Sequence, residues 1–193
     1  MHSAVPPSLD NMHTRRSTLS IVLAAGSLSG LATQASADTP TPGDIPDNQA
    51  FVSFRGDGYS LKTPEGWGRS SIRRVVTFTD KFNTISIELA RTAQAPTIAS
   101  ATGHDVPRLR ATVRGFKLGA VTKVSRPAGP AILITYRATS PRNAVTGRTV
   151  ENDVERYLFW KSGRRATVTL QAPRGSDNVD AWRLVTSSFR WIP

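Results

Sequence analysis

The chain has 193 residues, with 25 Lys+Arg against 14 Asp+Glu, a net charge of +11 and no cysteine. That length suits one domain with a single sizeable core, which must supply the stability that disulfides cannot. The missing thiol excludes disulfides, a Cys-His catalytic pair and the lipobox of a lipoprotein.

Arg15 and Arg16 are the only Lys or Arg before residue 55. An apolar stretch from Ile21 to Ala32 follows, and Ala35-Ser36-Ala37 supplies a small-x-small cleavage site. A positive start, a short apolar run and an A-x-A site are the three parts of a secretory signal. The run is too short and too rich in Gly and Ser for a membrane span, which needs roughly 20 apolar residues. Residues 1–37 are therefore expected to be a cleavable signal peptide and the protein to be secreted or extracytoplasmic. Thr14-Arg15-Arg16-Ser17 fits twin-arginine export in part, because Thr18 stands where that motif wants a bulky apolar residue, so the general secretory route stays open. Removing residues 1–37 takes only Arg15, Arg16 and Asp10 away, so the basic excess stays with the remainder.

Residues 38–49 carry Pro40, Pro42 and Pro46 with no apolar periodicity, the pattern of a disordered linker. The globular domain is expected over 50–193. Phe51–Phe54 and Tyr59–Lys62 read as strands joined by the turn Arg55-Gly56-Asp57-Gly58, and Pro64-Glu65-Gly66-Trp67 as a second turn. Val76 and Phe78 alternate with threonines, and Ile85, Ile87 and Leu89 with Ser86 and Glu88, giving an antiparallel pair around residues 80–83. Val106, Leu109 and Val113 form a helical stripe, with Asp105 as its cap, Pro107 in its first turn and Gly115 at its end. Its outer face carries Arg108, Arg110 and Arg114. Ile132, Ile134 and Tyr136 mark a strand, Thr149–Lys161 a longer one, and Ala166, Val168 and Leu170 its return after Ser162-Gly163. Asp177 caps a last helix whose stripe is Val179, Trp182, Val185 and Phe189.

Strands joined by tight turns make an antiparallel sheet, and two amphipathic helices must bury their stripes on its faces. The expected class is α+β, an antiparallel β-sheet flanked by amphipathic helices.

Tyr59-Ser60-Leu61-Lys62-Thr63-Pro64-Glu65-Gly66-Trp67 resembles the Y-S-[LF]-x-x-P-x-G-W opening of PsbP-like domains, and Ser187-Ser188-Phe189-Arg190-Trp191 resembles their S-F-R/K ending. PsbP-like domains take their name from the extrinsic subunit of the photosynthetic oxygen-evolving complex. The resemblance spans about residues 50–192 and implies the Mog/PsbP-like α/β/α sandwich. It also implies a role in binding partners or assembling complexes rather than catalysis. The matched residues shape a hairpin and pack a helix, so no binding residue is carried over. Exported lipoproteins share this fold, and this chain departs from them in lacking the lipid-bearing Cys.

His104 is the one histidine beyond residue 37, and no Ser-His-Asp grouping, G-x-x-x-x-G-K-[ST] or G-x-G-x-x-G loop accompanies it. Glu151, Asp153 and Glu155 share one face of a strand, and three such carboxylates could hold a hard cation. Their spacing of about 6.5–7 Å is wide for one ion, and pairing with arginines on neighbouring strands is the favoured reading. Trp67, Trp160, Trp182 and Trp191 serve either core packing or an apolar pocket.

The chain is thus expected to be a non-catalytic, exported binding module with no cofactor and no metal. A basic excess favours polyanions, and export makes nucleic acid the least natural of them. The expected partner is an envelope or extracellular protein. An anionic or amphipathic ligand, such as lipid or wall polymer, is the alternative. Arg108, Arg110, Arg114, Glu151, Asp153 and Glu155 are the candidate contact surface.

Overall fold

Alternation of apolar and polar residues builds most of the molecule. The computed structural model describes residues 43–142 and 147–193. The expected signal peptide lies outside the described residues. Among them, no helix is long and apolar enough to cross a membrane.

Strands β1 (Phe51–Gly56), β2 (Tyr59–Pro64) and β10 (Arg190–Trp191) form a three-stranded sheet in the order β1-β2-β10. A larger sheet contains β3 (Gly68–Ile72), β4 (Val75–Asp80), β5 (Asn83–Arg91), β6 (Lys117–Arg126), β7 (Gly129–Thr139), β8 (Glu151–Lys161) and β9 (Arg164–Pro173). Its order is β3-β4-β5-β9-β8-β7-β6, and every pairing is antiparallel. The expected α+β class holds.

Two strands had no clear signal in the sequence. β3 (GRSSI) is exposed at every residue and has a single large apolar side chain, Ile72. β6 loses its alternation at a register shift between Leu118 and Val121. Both are edge strands, where one free edge and little burial leave the pattern weakly specified.

The two faces of the large sheet bury different clusters. Odd residues of β8, Tyr157 and Phe159, join Ile85, Ile87, Val168 and Leu170 beneath the small sheet and α3 (Val179–Ser188). Even residues, Val154 and Leu158, join Ile132, Ile134 and Tyr136 beneath a helical run with Val106 and Leu109.

That run begins seven residues before the expected cap, Asp105. It comprises α1 (Ile98–Ser100), a π-helical stretch (Ala101–Asp105) and α2 (Val106–Thr112). Thr97, not Asp105, is the cap: its Oγ1 accepts from Ser100 N at 3.0 Å, and Ser100 Oγ accepts from Thr97 N at 2.9 Å. Serine stands where a capping box usually has Glu or Gln. The wide π turn ends two residues before Pro107, whose ring would clash with the carbonyl four residues back in a regular α-helix. Asp105 turns inward instead and pairs with Arg165 at 3.3 Å. The run ends at the extended Val113, and Gly115 makes the following turn at φ +65°, where a Cβ would strike the side chain of Thr139.

At α3 the residue before the helix is Asn178, whose side chain does not cap it. Val179 is 62% exposed, so the buried stripe starts at Trp182 and continues through Val185 to Phe189.

Asn178 instead fastens the segment before β1. Its Oδ1 accepts from Ile45 N at 2.6 Å, and its Nδ2 donates to Gly43 O at 3.0 Å and Asn83 Oδ1 at 3.2 Å. Asp44 Oδ1 accepts from Asp177 N at 2.8 Å, and Ile45 is buried. The expected disordered linker over 38–49 is therefore corrected for residues 43–49, which dock on the domain through one apolar anchor and a shared amide. Replacing Asn178 by Ala strands three buried or half-buried polar groups. Urea unfolding should show a loss of about 1–3 kcal/mol, with faster proteolysis between residues 43 and 49. A loss below about 0.5 kcal/mol, the scale of an ordinary surface change, would contradict this.

Candidate functional site

The acidic row of β8 emerges on the face shared with α3. Glu151 bonds Lys117 Nζ at 2.9 Å and Arg174 Nη1 at 3.1 Å. Asp153 lies directly opposite Arg137 in the β7–β8 register, 3.6 Å from its Nε, and accepts from Gly175 N at 3.4 Å. Glu155 Oε2 accepts from the Tyr157 hydroxyl at 2.8 Å, and that hydroxyl accepts from Arg126 Nη2 at 3.0 Å. Arg126 Nε reaches Thr186 Oγ1 on α3 at 3.2 Å. Glu151 and Asp153 thus have partners on neighbouring elements, and Glu155 takes the Tyr157 hydroxyl of its own strand. Among the described residues no group of three His, Cys, Asp or Glu could hold a metal ion.

The row borders a groove of about 450 Å³ lined by Lys117, Thr135, Arg137, Asp153, Glu155 and Trp182. Hydrogen bonding from Lys117 holds the Glu151 carboxyl below its ordinary value, with Arg174 adding to the effect. Burial, reinforced by Glu155, pushes the Tyr157 phenol up to about 12 against the opposing Arg126, so it remains a neutral donor.

Arg108, Arg110 and Arg114 are exposed, and no described carboxylate pairs with them. Arg108 and Arg110 lie on the helix that packs on the even-numbered face of β8, and Arg114, expected on that helix, lies in the turn beyond it, whereas the acidic row projects from the odd-numbered face. The structure therefore does not bring the two halves of the expected contact surface together. His104 is exposed on the π-helical stretch. The four tryptophans do not share a pocket: Trp67 packs against the core beneath the small sheet, Trp182 walls the groove, Trp191 packs edge-on against Phe189 at 5.3 Å, and Trp160 Nε1 donates to Thr92 O at 3.2 Å.

A second cavity, of about 540 Å³, collects residues far apart in sequence. The β1–β2 hairpin contributes Asp57 and Tyr59, and the β3–β4 turn contributes Arg73 and Arg74. The ends of β5 and β9 contribute Arg91 and Arg164. Arg164 lies 5.3 Å above the Trp191 ring and crosses Gly58, where any Cβ would meet its guanidinium. Tyr59 is buried and its hydroxyl has no partner among the described residues; burial and nearby Asp57 push its pKa to about 12. The doublets Arg73-Arg74 and Arg164-Arg165 beside turns were the available signal, but only the sheet order shows that the first elements of both doublets converge.

On the opposite face, Arg156 is held by Thr169 at 3.0 Å and Glu88 at 3.8 Å. Burial draws its pKa down, and Tyr136, Glu88 and Asp105 oppose that. With Arg165–Asp105 it ties the helical run to the sheet.

The depressed Glu151 carboxyl has a defined pH consequence. Its stabilising pairing is complete above the ordinary 4.5 and is lost as pH falls through the lower folded value. Glu151→Gln should therefore lower the urea midpoint at about pH 7, with the difference closing towards about pH 3. A difference that is unchanged across that range would refute the assignment.

No protein-family model and no curated protein matches the sequence. Solved structures do. Cyanobacterial PsbP (CyanoP) from Synechocystis sp. PCC 6803 superposes with a TM-score of 0.52 at 15% identity, covering 78% of this chain and 98% of that one. The Saccharomyces cerevisiae Ran-binding protein Mog1p superposes at 0.51 and 8% identity, covering 75% of this chain and 95% of that one. Identities this low speak for architecture alone, and the architecture is plain: the chain has the PsbP/Mog1-like fold.

Proposed function

We propose that the chain is an exported, non-catalytic binding module whose partner is a protein of the cell envelope or the extracellular space. The observation that carries this reading is the groove beside Trp182. Lys117, Arg137, Asp153 and Glu155 set opposite charges side by side along its floor, and Trp182 gives it an aromatic wall. Partly exposed ion pairs of this kind contribute only about 0–1 kcal/mol each to stability. They are more effective in matching a charged partner and setting its orientation, and Trp and Arg are favoured interface anchors.

The same pairings argue against catalysis at this site, because each carboxylate is engaged by a cation or a phenol. The PsbP/Mog1-like fold adds support: Mog1p, one of its members, is by name a Ran-binding protein. Export rests on the charge, apolar run and small-residue site within residues 1–37. The test is recovery of a protein from the envelope fraction of the producing cell. Immobilised wild type should retain a specific partner that the double charge swap Lys117→Glu and Asp153→Lys retains about tenfold less, the effect of about 1.4 kcal/mol. Equal retention by both forms, or none by the wild type, overturns the reading.

A second reading has its own observation. Arg108 and Arg110 stand exposed on the helical run, and Arg114 on the turn after it, in a chain with net charge +11. That arrangement suits loose association with an anionic lipid or wall-polymer surface. Co-sedimentation with anionic liposomes should be strong at low salt and fall as ionic strength passes about 0.1 M, where the screening length is about 10 Å. No association at low salt removes it.

A further inference from the structure

We propose that the cavity between the β1–β2 hairpin and the ends of β5 and β9 is an oxyanion site that takes a phosphate group, held by Arg73, Arg74, Arg91 and Arg164.

Arg91 and Arg164 are direct cross-strand partners in the β5–β9 register. Like charges placed opposite each other in a sheet are destabilising. Here Arg73 and Arg74 are added from a third element, and Arg73 adopts a left-handed φ of 56°. An arginine in that region is uncommon and costs backbone energy. Among the described residues none of the four guanidinium groups is paired with a carboxylate, and Asp57 is the one carboxylate lining the cavity. Three cations remain in excess.

Beside the Trp182 groove and beneath the helical run the molecule pairs its charges. Glu151 takes two cations, Asp153 faces Arg137, and Arg165 meets Asp105. In the cavity four arginines line one space with a single carboxylate, and a bound anion supplies the missing charge. A phosphate monoester carries about −1.5 to −2 at neutral pH and offers three acceptor oxygens. Planar guanidinium forks bind such oxygens in pairs. The volume exceeds that of phosphate alone and falls within the roughly 300–1,000 Å³ of small-ligand pockets. Val76, Leu89 and Tyr59 provide an apolar wall for the remainder of an ester. Gly58 leaves room for Arg164 across the hairpin turn, and Trp191 supports its guanidinium from below. The cavity is separate from the Trp182 groove, so its test is independent of the protein-partner reading.

Calorimetric titration of the full chain with inorganic phosphate and with glycerol 3-phosphate, at low salt, tests the site. The wild type and the control Lys62→Gln/Lys123→Gln, two exposed lysines outside the cavity, should bind alike. Arg91→Gln/Arg164→Gln, with the same net charge as the control, should bind about tenfold or more weakly, because charge-assisted bidentate bonds are lost. Arg73→Gln/Arg74→Gln, in an exposed turn, should weaken binding without altering the thermal melt, and it decides the matter if the strand-end variant fails to fold. Phosphatidylcholine vesicles containing phosphatidic acid separate the two sources. Vesicle association abolished by Arg73→Gln/Arg74→Gln assigns a lipid headgroup, and binding of glycerol 3-phosphate without vesicle association assigns a soluble ester. Equal weakening in the lysine control and the cavity variants, or no binding by the wild type to either probe or vesicle, overturns the proposal.

Discussion

Phe189 is the contact on which the two sheets depend. Its ring stacks on Phe159 of β8 at 4.6 Å and on Tyr59 of β2 at 6.0 Å, and it meets Trp191 edge-on. Tyr157 extends the stack from Phe159 at 6.1 Å. One side chain at the end of α3 therefore joins the large sheet, the small sheet and the terminal strand. Offset aromatic pairs add about 0.5–1.5 kcal/mol each beyond their buried area. Phe189 is fully buried, so nothing else can replace it without leaving a cavity. Directly after Phe189, β10 pairs with β2, and Ile192 N donates to Gly58 O of the hairpin turn at 3.1 Å.

The stack also decides where ligands can go. It fills the centre of one face of the large sheet and leaves space at both ends. At one end, α3 stops short of β6 and β7, leaving the Trp182 groove. At the other, the β1–β2 hairpin overhangs the ends of β5 and β9, leaving the arginine cavity. Both spaces are lined by rigid strands or by hairpin turns anchored on them, which suits a surface that must keep its geometry while a partner docks. The opposite face is closed over β7 and β8 by the helical run, which Arg165–Asp105 clips down.

Much of this was legible in the sequence where burial is one-sided. Ile85-Ser86-Ile87-Glu88-Leu89 and Ala166 to Leu170 alternate cleanly because one face enters the aromatic core and the other does not. The pairing of Glu151 and Asp153 with basic neighbours was legible too, since positions 151, 153 and 155 must share a face, whereas Glu155 takes the Tyr157 hydroxyl of its own strand. The edge strands were not, because β3 buries nothing that would impose a period. The helix start was hidden by chemistry: Asp105 resembles a cap, yet it is buried enough to need Arg165, while Thr97 and Ser100 make the cap with two hydroxyls. Residues 43–49 look like linker because one apolar side chain, Ile45, and one distant amide, Asn178, do all the docking. The arginine cavity was invisible for a topological reason. Its walls come from four turns or strand ends that only the strand order brings together.

Charge placement separates the two spaces further. The basic excess of the chain is not spread evenly over its surface. In the Trp182 groove, cations and carboxylates alternate and the local balance is near neutral, so specificity there must come from position rather than from net attraction. In the hairpin cavity the cations are gathered and left unbalanced, so attraction dominates. A single binding surface would need both properties at once. A fold that places them at opposite ends of one sheet face, with Phe189 holding the space between, can keep a charge-matched macromolecular contact and a small-anion contact apart. A change at either then leaves the other's geometry intact.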